Sequence, residues 1–366
     1  MEIGIIGLPK SGKTTVFNAL TRGHAEAARF GGQNMKPNLG VAKVPDPRLD
    51  ILTTMFKPKR TVQAEVSYID IPGAPEGVGK TQGISGEYLN LLQRCDALLH
   101  VVRAFQDPSL PHVEGSVAPY RDVATMNLEL AFSDLGILER RTRSLETSLK
   151  SAKAQERDRF RQEEELLTRL KQGLEKDVPI REQDLNADER RLLSGYQFLT
   201  GKPLLVLFNL GEEQLPQTQT MEEEMCKRLN RPGVQCTTMC AKLEAELSQM
   251  DKEEEEEFRR SLSAGESGAA RMIRISYHLL GLISFLTAGE DEVRAWTIRK
   301  DTPAVKAAGQ IHTDIERGFI RAEIIAYADL VRCGGLVEGR RQGVLRAEGR
   351  NYVVQDGDVI NFLFNV

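Results

Sequence analysis

The 366-residue sequence predicts an α/β fold in three parts: a parallel-sheet domain, a helical insertion within it, and a small mixed-sheet domain at the C-terminal end. Three observations carry that expectation. Ile3-Gly4-Ile5-Ile6, a short apolar run, leads through a glycine-rich turn into Thr15-Val16-Phe17-Asn18-Ala19-Leu20, with apolar residues at helical spacing. Leu128, Leu135, Leu138, Leu145 and Leu149 step by seven, three, seven and four, the seam of paired helices. Residues 290–366 alternate short strand-like runs with turns such as Asp356-Gly357.

Composition sets the frame. Forty per cent hydrophobic and 28% charged residues describe an ordinary globular chain long enough for two or three cores. A net charge of −4 still allows a local basic face. Cys95, Cys226, Cys236, Cys240 and Cys333 form no metal-type pair, so reduced thiols are expected, with Cys95 and Cys333 as inert buried thiols. Without a membrane-length apolar run or a leader pattern, a cytoplasmic protein free of the membrane, and monomeric, is expected.

The turn Gly7-Leu8-Pro9-Lys10-Ser11-Gly12-Lys13-Thr14 fits G-x-x-x-x-G-K-[ST], between a strand and a helix start as that motif requires. Its backbone amides and the helix's positive end would cradle phosphates, with Thr15 completing the lining. Lys13 would touch the transferring phosphate, and the Thr14 hydroxyl would ligate Mg²⁺. The motif therefore implies a nucleoside triphosphate ligand. Residues 23–40 read as a long functional loop extending to Pro47. Val62–Ile71 reads as a strand ending in Asp70-Ile71-Pro72-Gly73, where Asp70 would hold the metal and the Gly73 amide would sense the γ-phosphate. Gly77, Gly79, Gly83 and Gly86 then suit a switch loop.

Cys95–Val102 is a further buried strand and 103–125 a loop. After Leu149 the helical pattern resumes at Phe160, Leu167, Leu170 and Leu174, as in two antiparallel helices. Arg140, Arg141, Lys150, Lys153, Arg157, Arg159 and Arg161 near their tip fit either a solvated face or a projection toward phosphate-rich RNA. Pro203–Phe208 is an apolar strand stopping at Asn209-Leu210-Gly211-Glu212, and Thr237–Lys242 a further strand end. Asp251–Arg260 reads as a charged helix or linker and Leu279–Leu286 as an apolar helix. Val293–Ile298, Tyr352–Val354 and Val359–Phe364 read as strands and Thr302–Ala308 as a helix. The expected domains are 1–125 with 200–285, the insertion 126–199, and 286–366.

With these pieces placed, nearly the whole chain resembles the YchF / Obg-like ATPase family of P-loop proteins. The most specific stretches are Pro45–Asp50, Ala241–Leu247, Thr287–Gly289 with Glu292–Ile298, and Ala308–Asp314 through Gly318–Glu323. The resemblance implies a Ras-like nucleotide domain, a coiled-coil insertion and a C-terminal β-grasp module called TGS. It also implies ribosome or ribosomal RNA association and slow, partner-regulated ATP hydrolysis with Mg²⁺. GTPases read guanine with N-K-x-D, whereas here Asn209, Leu210 and Glu212 stand with the lysine gone and a longer carboxylate. The family likeness therefore favours ATP, with Asn209 and the segment Cys240-Ala241-Lys242 lining the adenine site. Ala74 occupies the position of the water-orienting glutamine, and the resemblance offers His112 as its substitute, beside the alternative of a surface-loop histidine without a role. His100, inside an apolar strand, reads as structural.

The sequence also departs from the family. Asn34 stands for a switch-loop threonine, Lys36 adds a charge, Lys10-Ser11 replaces Asn-Val, and Ala74-Pro75-Glu76 replaces a Leu- and Lys-containing stretch. These departures bear on hydrolysis rate and switch geometry, not on nucleotide binding. A GTPase of the same fold and a nucleotide-gated binding protein with negligible turnover are the competing expectations, and a small-molecule kinase is a distant fourth.

Overall fold

The computed structural model describes residues 1–23, 37–71, 84, 86–151, 153–262 and 266–365. They form two compact units, Met1–Gly40 with Ser67–Ala269, and Val41–Val66 with Ala270–Val366. The strands among the described residues are β1 (Glu2–Ile6), β2 (Asn38–Lys43), β3 (Arg60–Val62), β4 (Glu65–Asp70), β5 (Ala97–Arg103), β6 (Leu204–Asn209), β7 (Val234–Met239), β8 (Leu282–Ala288), β9 (Glu292–Arg299), β10 (Phe319–Ala326), β11 (Arg346–Glu348) and β12 (Asp358–Phe364).

The first unit is built on a sheet of order β2-β4-β1-β5-β6-β7. Pairing is parallel from β4 across β1, β5 and β6 to β7, so these five strands end at one edge. Every residue of β5 and β6 is buried, which is why both read as continuous apolar runs. Ile6, Leu98, Val102, Val206 and Phe208 pack with Tyr88, Leu92, Val123, Met126 and Leu130 from flanking helices.

The helical hairpin pairs Pro119–Ser151 with Ala154–Leu174. Its first helix begins inside the loop expected over 103–125, because Pro119 has the backbone angle a first helical turn needs. No break falls at 126. Val123, Met126 and Leu130 join the sheet core, while Leu138 and Leu145 pack with Leu167, Leu170 and Leu174. Leu128, by contrast, is exposed. One helix thus spans both cores, and Asp134 stands at the changeover.

The second unit carries a sheet of order β11-β10-β12-β8-β9-β3, with the helix Ala304–Ile311 packed on it. Phe285, Ile298, Ala307, Ala308, Phe319 and Phe362 form its centre, a β-grasp arrangement. Its boundaries differ from those expected. Residues 41–66 belong with the C-terminal chain: β3 pairs in parallel with β9, and Arg48 donates from Nη1 to Asp356 Oδ2 at 2.8 Å. Asp46 caps the helix Pro47–Phe56, accepting from Arg48 N at 3.0 Å, a helix that starts where the expected loop ends.

Other expectations are corrected. Leu279–Leu286 is not a helix: the helix Gly268–Leu279 stops before Gly281 at φ +65°, and β8 then pairs with β9 from Leu282↔Arg299 to Ala288↔Val293. A short apolar run fits either period, and the glycine decides it. Tyr352–Val354 forms only an isolated bridge from Val353 to Pro303. Cys226 and Cys236 are not reduced but joined in a disulfide, Cα–Cα 5.3 Å, because the helix Thr218–Lys227 packs beside β7. Cys95 is buried as expected, whereas Cys333 is only half-buried.

Asp134 yields a pH-dependent prediction. Its buried carboxylate accepts from Leu199 N (2.9 Å), Thr200 N (2.7 Å) and Thr200 Oγ1 (2.6 Å). Burial outweighs these donors and pushes its pKa up to about 6. The folded chain therefore binds this proton more tightly than the unfolded one, and stability falls as pH rises from about 4 to about 6. Asp134→Asn removes the titration, so its destabilisation in urea unfolding is expected to shrink by about 2–3 kcal/mol between pH 4 and pH 7. An unchanged difference would show the carboxyl titrating alike in both states.

Candidate nucleotide site

The loop from Gly7 to Gly12 folds where β1 gives way to the helix Lys13–Thr21. Gly7 (φ +151°) and Gly12 (φ +96°) are positions a side chain could not take, since a Cβ would meet Val101 O at the first and Asn209 Nδ2 at the second. Lys10 between them also has positive φ, 63°. Leu8 and Ser11 are buried and Pro9 half-buried, and Ser11 N donates to Leu8 O at 3.3 Å. No side chain caps the helix at Gly12, so its first amides remain for an anion.

Lys13 Nζ donates to the carbonyls of Gly7 (3.0 Å) and Leu8 (3.2 Å), closing the loop on itself. Desolvation draws its pKa down to about 8, against the attraction of Asp70. Thr14 Oγ1 donates to Asp70 Oδ2 at 2.9 Å, and Asn38 Nδ2 approaches the same oxygen at 3.4 Å. Asp70 is fully buried, and its Oδ1 has no hydrogen-bond partner among the described residues. A hydroxyl beside a buried carboxylate with a spare oxygen is the donor set a hard divalent cation takes. Ser11 Oγ is likewise buried and unpartnered, while Thr15 is half-buried on the helix's first turn. Gly73 lies outside the described residues, as do Asn34, Lys36 and Ala74–Glu76.

At the other end, Asn209 joins three segments. It closes β6, donates from Nδ2 to Ser11 O at 3.0 Å, and accepts at Oδ1 from Ala241 N at 3.0 Å. The amide thus supplies the cap that Cys240 does not give the helix Ala241–Leu247. Leu210 is buried, with its N–H on Met239 O at 2.9 Å. Glu212 points outward and meets Lys242 Nζ at 2.8 Å. Gln214, unnoticed in the sequence, receives Gly211 N at Oε1 (2.7 Å) and reaches Ala104 O at 3.2 Å, tying this loop to the end of β5.

His112 sits in the loop after β5. Its buried imidazole donates from Nε2 to Asp122 Oδ2 at 2.9 Å, because Nδ1 accepts from Glu114 N at 3.1 Å. Arg121 holds Asp122 Oδ1 at 2.8 Å from the other side. Among the described residues this loop meets the phosphate turn where Lys10 Nζ donates to Pro111 O at 3.4 Å. The sequence also missed Arg103, whose buried guanidinium donates to Phe105 O, Asp107 O and Leu110 O and shapes the loop. An arginine closing an otherwise apolar run was the available signal. His100 is buried and neutral, its pKa drawn down to about 3 by desolvation and by Lys13. Among the described residues no cluster of three metal-ligating side chains occurs, and no helix is long and apolar enough to cross a membrane.

Fold and site together define a P-loop nucleotide-binding protein of the GTPase-like class. A family model described as 50S ribosome-binding GTPase matches residues 2–131, and the YchF GTPase C-terminal model, described as a protein of unknown function, matches 282–365. The chain is 41% identical to the Ribosome-binding ATPase YchF of Bacillus subtilis (strain 168), over 100% of both chains. It is 40% identical to the protein of the same name from Escherichia coli O157:H7, over 100% of this chain and 99% of that one. The structure of the Schizosaccharomyces pombe YchF GTPase superposes with a TM-score of 0.86 at 32% identity, covering 99% of this chain and 97% of that one. The chain belongs to the YchF family.

Asn209 should be the most sensitive polar residue here. Asn209→Ala leaves the Ser11 carbonyl and the Ala241 amide buried and unpaired, and is expected to cost about 2–3 kcal/mol in urea unfolding. Glu212→Gln, at an exposed position, is expected to stay within about 0.5 kcal/mol of wild type. Equal effects would mean that Asn209 does not bridge these segments.

Proposed function

We propose that this chain is a cytoplasmic ATPase that binds Mg²⁺ with its nucleotide and acts on the ribosome, hydrolysing ATP slowly in isolation. The observation that carries this is the closed phosphate turn: a desolvated Lys13 ammonium held by two carbonyls, beside a Thr14–Asp70 pair with a spare buried oxygen. Phosphate oxygens would add a direct anionic partner for Lys13. Thr14 and Asp70 would hold Mg²⁺, which neutralises phosphate charge when bound. Loop amides from Gly7 to Thr15 would position the phosphates.

ATP is favoured over GTP by the base end. Leu210 stands buried where GTPases place a lysine, and Glu212 is engaged by Lys242. Ribosome association rests on the relatives' names and on the hairpin tip, where Lys150, Lys153, Arg157, Arg159 and Arg161 are exposed and suited to RNA phosphates. Arg141 is excluded from that set, because Glu163 and the Tyr196 hydroxyl hold it.

His112 is the proposed water-positioning group, and its engagement by Asp122 accounts for a slow basal rate. To face a water at the γ-phosphate, the imidazole has to give up that carboxylate. Partner binding that reorders the loop would release it.

Calorimetric titration of the full chain with Mg²⁺ and non-hydrolysable ATP or GTP analogues is the first test. ATP is expected to bind at least about tenfold more tightly. Turnover should rise on adding ribosomes and be absent in Lys13→Met. Tighter GTP binding, or turnover equal to that of Lys13→Met with ribosomes present, would overturn the proposal. For His112→Ala, ribosome-stimulated kcat is expected to fall at least about tenfold while ATP affinity stays within about threefold. A loss of affinity without a fall in kcat would mean that His112 only shapes the loop.

A further inference from the structure

We propose that Lys242 is a base-specificity residue: by holding the Glu212 carboxylate in an ion pair, it denies guanine its acceptor and leaves the site to adenine. The inference rests on ATP being the preferred nucleotide and extends it to a residue that acts through another. Guanine recognition in this fold uses one carboxylate as a double acceptor, for the N1 and N2 donors together. Both oxygens must be ionised and turned toward the base. Here Glu212 Oε1 already lies 2.8 Å from Lys242 Nζ.

The pairing is built into the fold. Glu212 opens the turn after β6, and Lys242 is the second residue of the helix after β7. Asn209 fixes the spacing of the two, since the same side chain that ends β6 caps that helix at Ala241. Gln214 holds Gly211, the residue before Glu212, through its backbone amide. Both ends of the ion pair therefore stand on anchored backbone, although the side chains themselves are exposed. Lys242 is further favoured in its charged form, by Glu212 first and by Glu246 beyond it.

Adenine makes no comparable demand. Its edge carries an amino donor beside a ring acceptor, so it needs no doubly free carboxylate, and a backbone carbonyl or the remaining Glu212 oxygen suffices for the amino group. Guanine would have to displace Lys242 from Glu212 or leave a donor unpaired as it enters. Discrimination then arises from a contact within the protein against the wrong base, not only from contacts to the right one.

The test compares Mg²⁺–ATP and Mg²⁺–GTP analogue affinities by calorimetry on the full chain in four forms. In Lys242→Met the ratio of ATP to GTP affinity is expected to move at least about tenfold toward GTP, through a gain in GTP affinity. Lys242→Arg, which keeps the ion pair, is expected to retain the wild-type ratio. Lys242→Met combined with Glu212→Gln is expected to lose the gain in GTP binding, because no carboxylate is then left to release. A Lys242→Met ratio equal to wild type, or a gain that survives in the double variant, overturns the proposal. A wild-type protein without ATP preference overturns the ATP assignment itself and the proposal with it, so the two failures are read from different samples.

Discussion

A desolvated ammonium with carbonyls as its hydrogen-bond partners is the constraint on which the nucleotide-binding unit depends. Lys13 lies inside the loop it closes, and burial draws its pKa down to about 8 against the attraction of Asp70. The neighbouring groups are arranged around that burden. Gly7 and Gly12 keep Cβ atoms out of the turn, and the helix start is left uncapped so that its amides face the same space. His100 stays neutral, since a second buried cation beside Lys13 would be costly.

The sheet turns this local arrangement into a site. Parallel pairing from β4 to β7 brings Ile6, Asp70, Arg103, Asn209 and Met239 to a common edge, and each ends its strand. Three of the five then anchor loops of the site. Asp70 receives Thr14, Arg103 gathers three carbonyls of the His112 loop, and Asn209 couples the phosphate turn to the base-side helix. Loops carry the chemistry, but hydrogen bonds to strand ends set where the loops go.

The features legible in the sequence were contiguous in the chain, although not every contiguous run was legible: Leu282–Ala288 fits either period. The phosphate turn announces itself because glycines, lysine and threonine all act within eight residues of one another. β5 and β6 were legible because burial on both faces removes any alternation. The segment 41–66 was not, because its place is set by the pairing of β3 with β9 and of Arg48 with Asp356, contacts far apart in the chain and only three residues long in the strand. The disulfide escaped for the same reason, since ten residues of separation say nothing about a helix packing beside β7. His112 was found as a residue but not in its state, since its hold on Asp122 crosses from a loop to a helix.

The base end is where the fold is least informative, and this has a physical cause. Every nucleoside triphosphate presents the same phosphates, so the turn, Lys13 and the Thr14–Asp70 pair are shared by proteins that differ in the base they take. The relatives' names divide accordingly: ATPase for the bacterial proteins, GTPase for the yeast structure, on one architecture. Only a few polar groups beyond Asn209 can separate the bases. Leu210 and Glu212 alter the guanine-reading pattern from within its own stretch, whereas Lys242 alters it from beyond the next strand end, thirty positions after Glu212. A specificity motif written as four consecutive letters therefore omits the residue that decides whether its carboxylate is available.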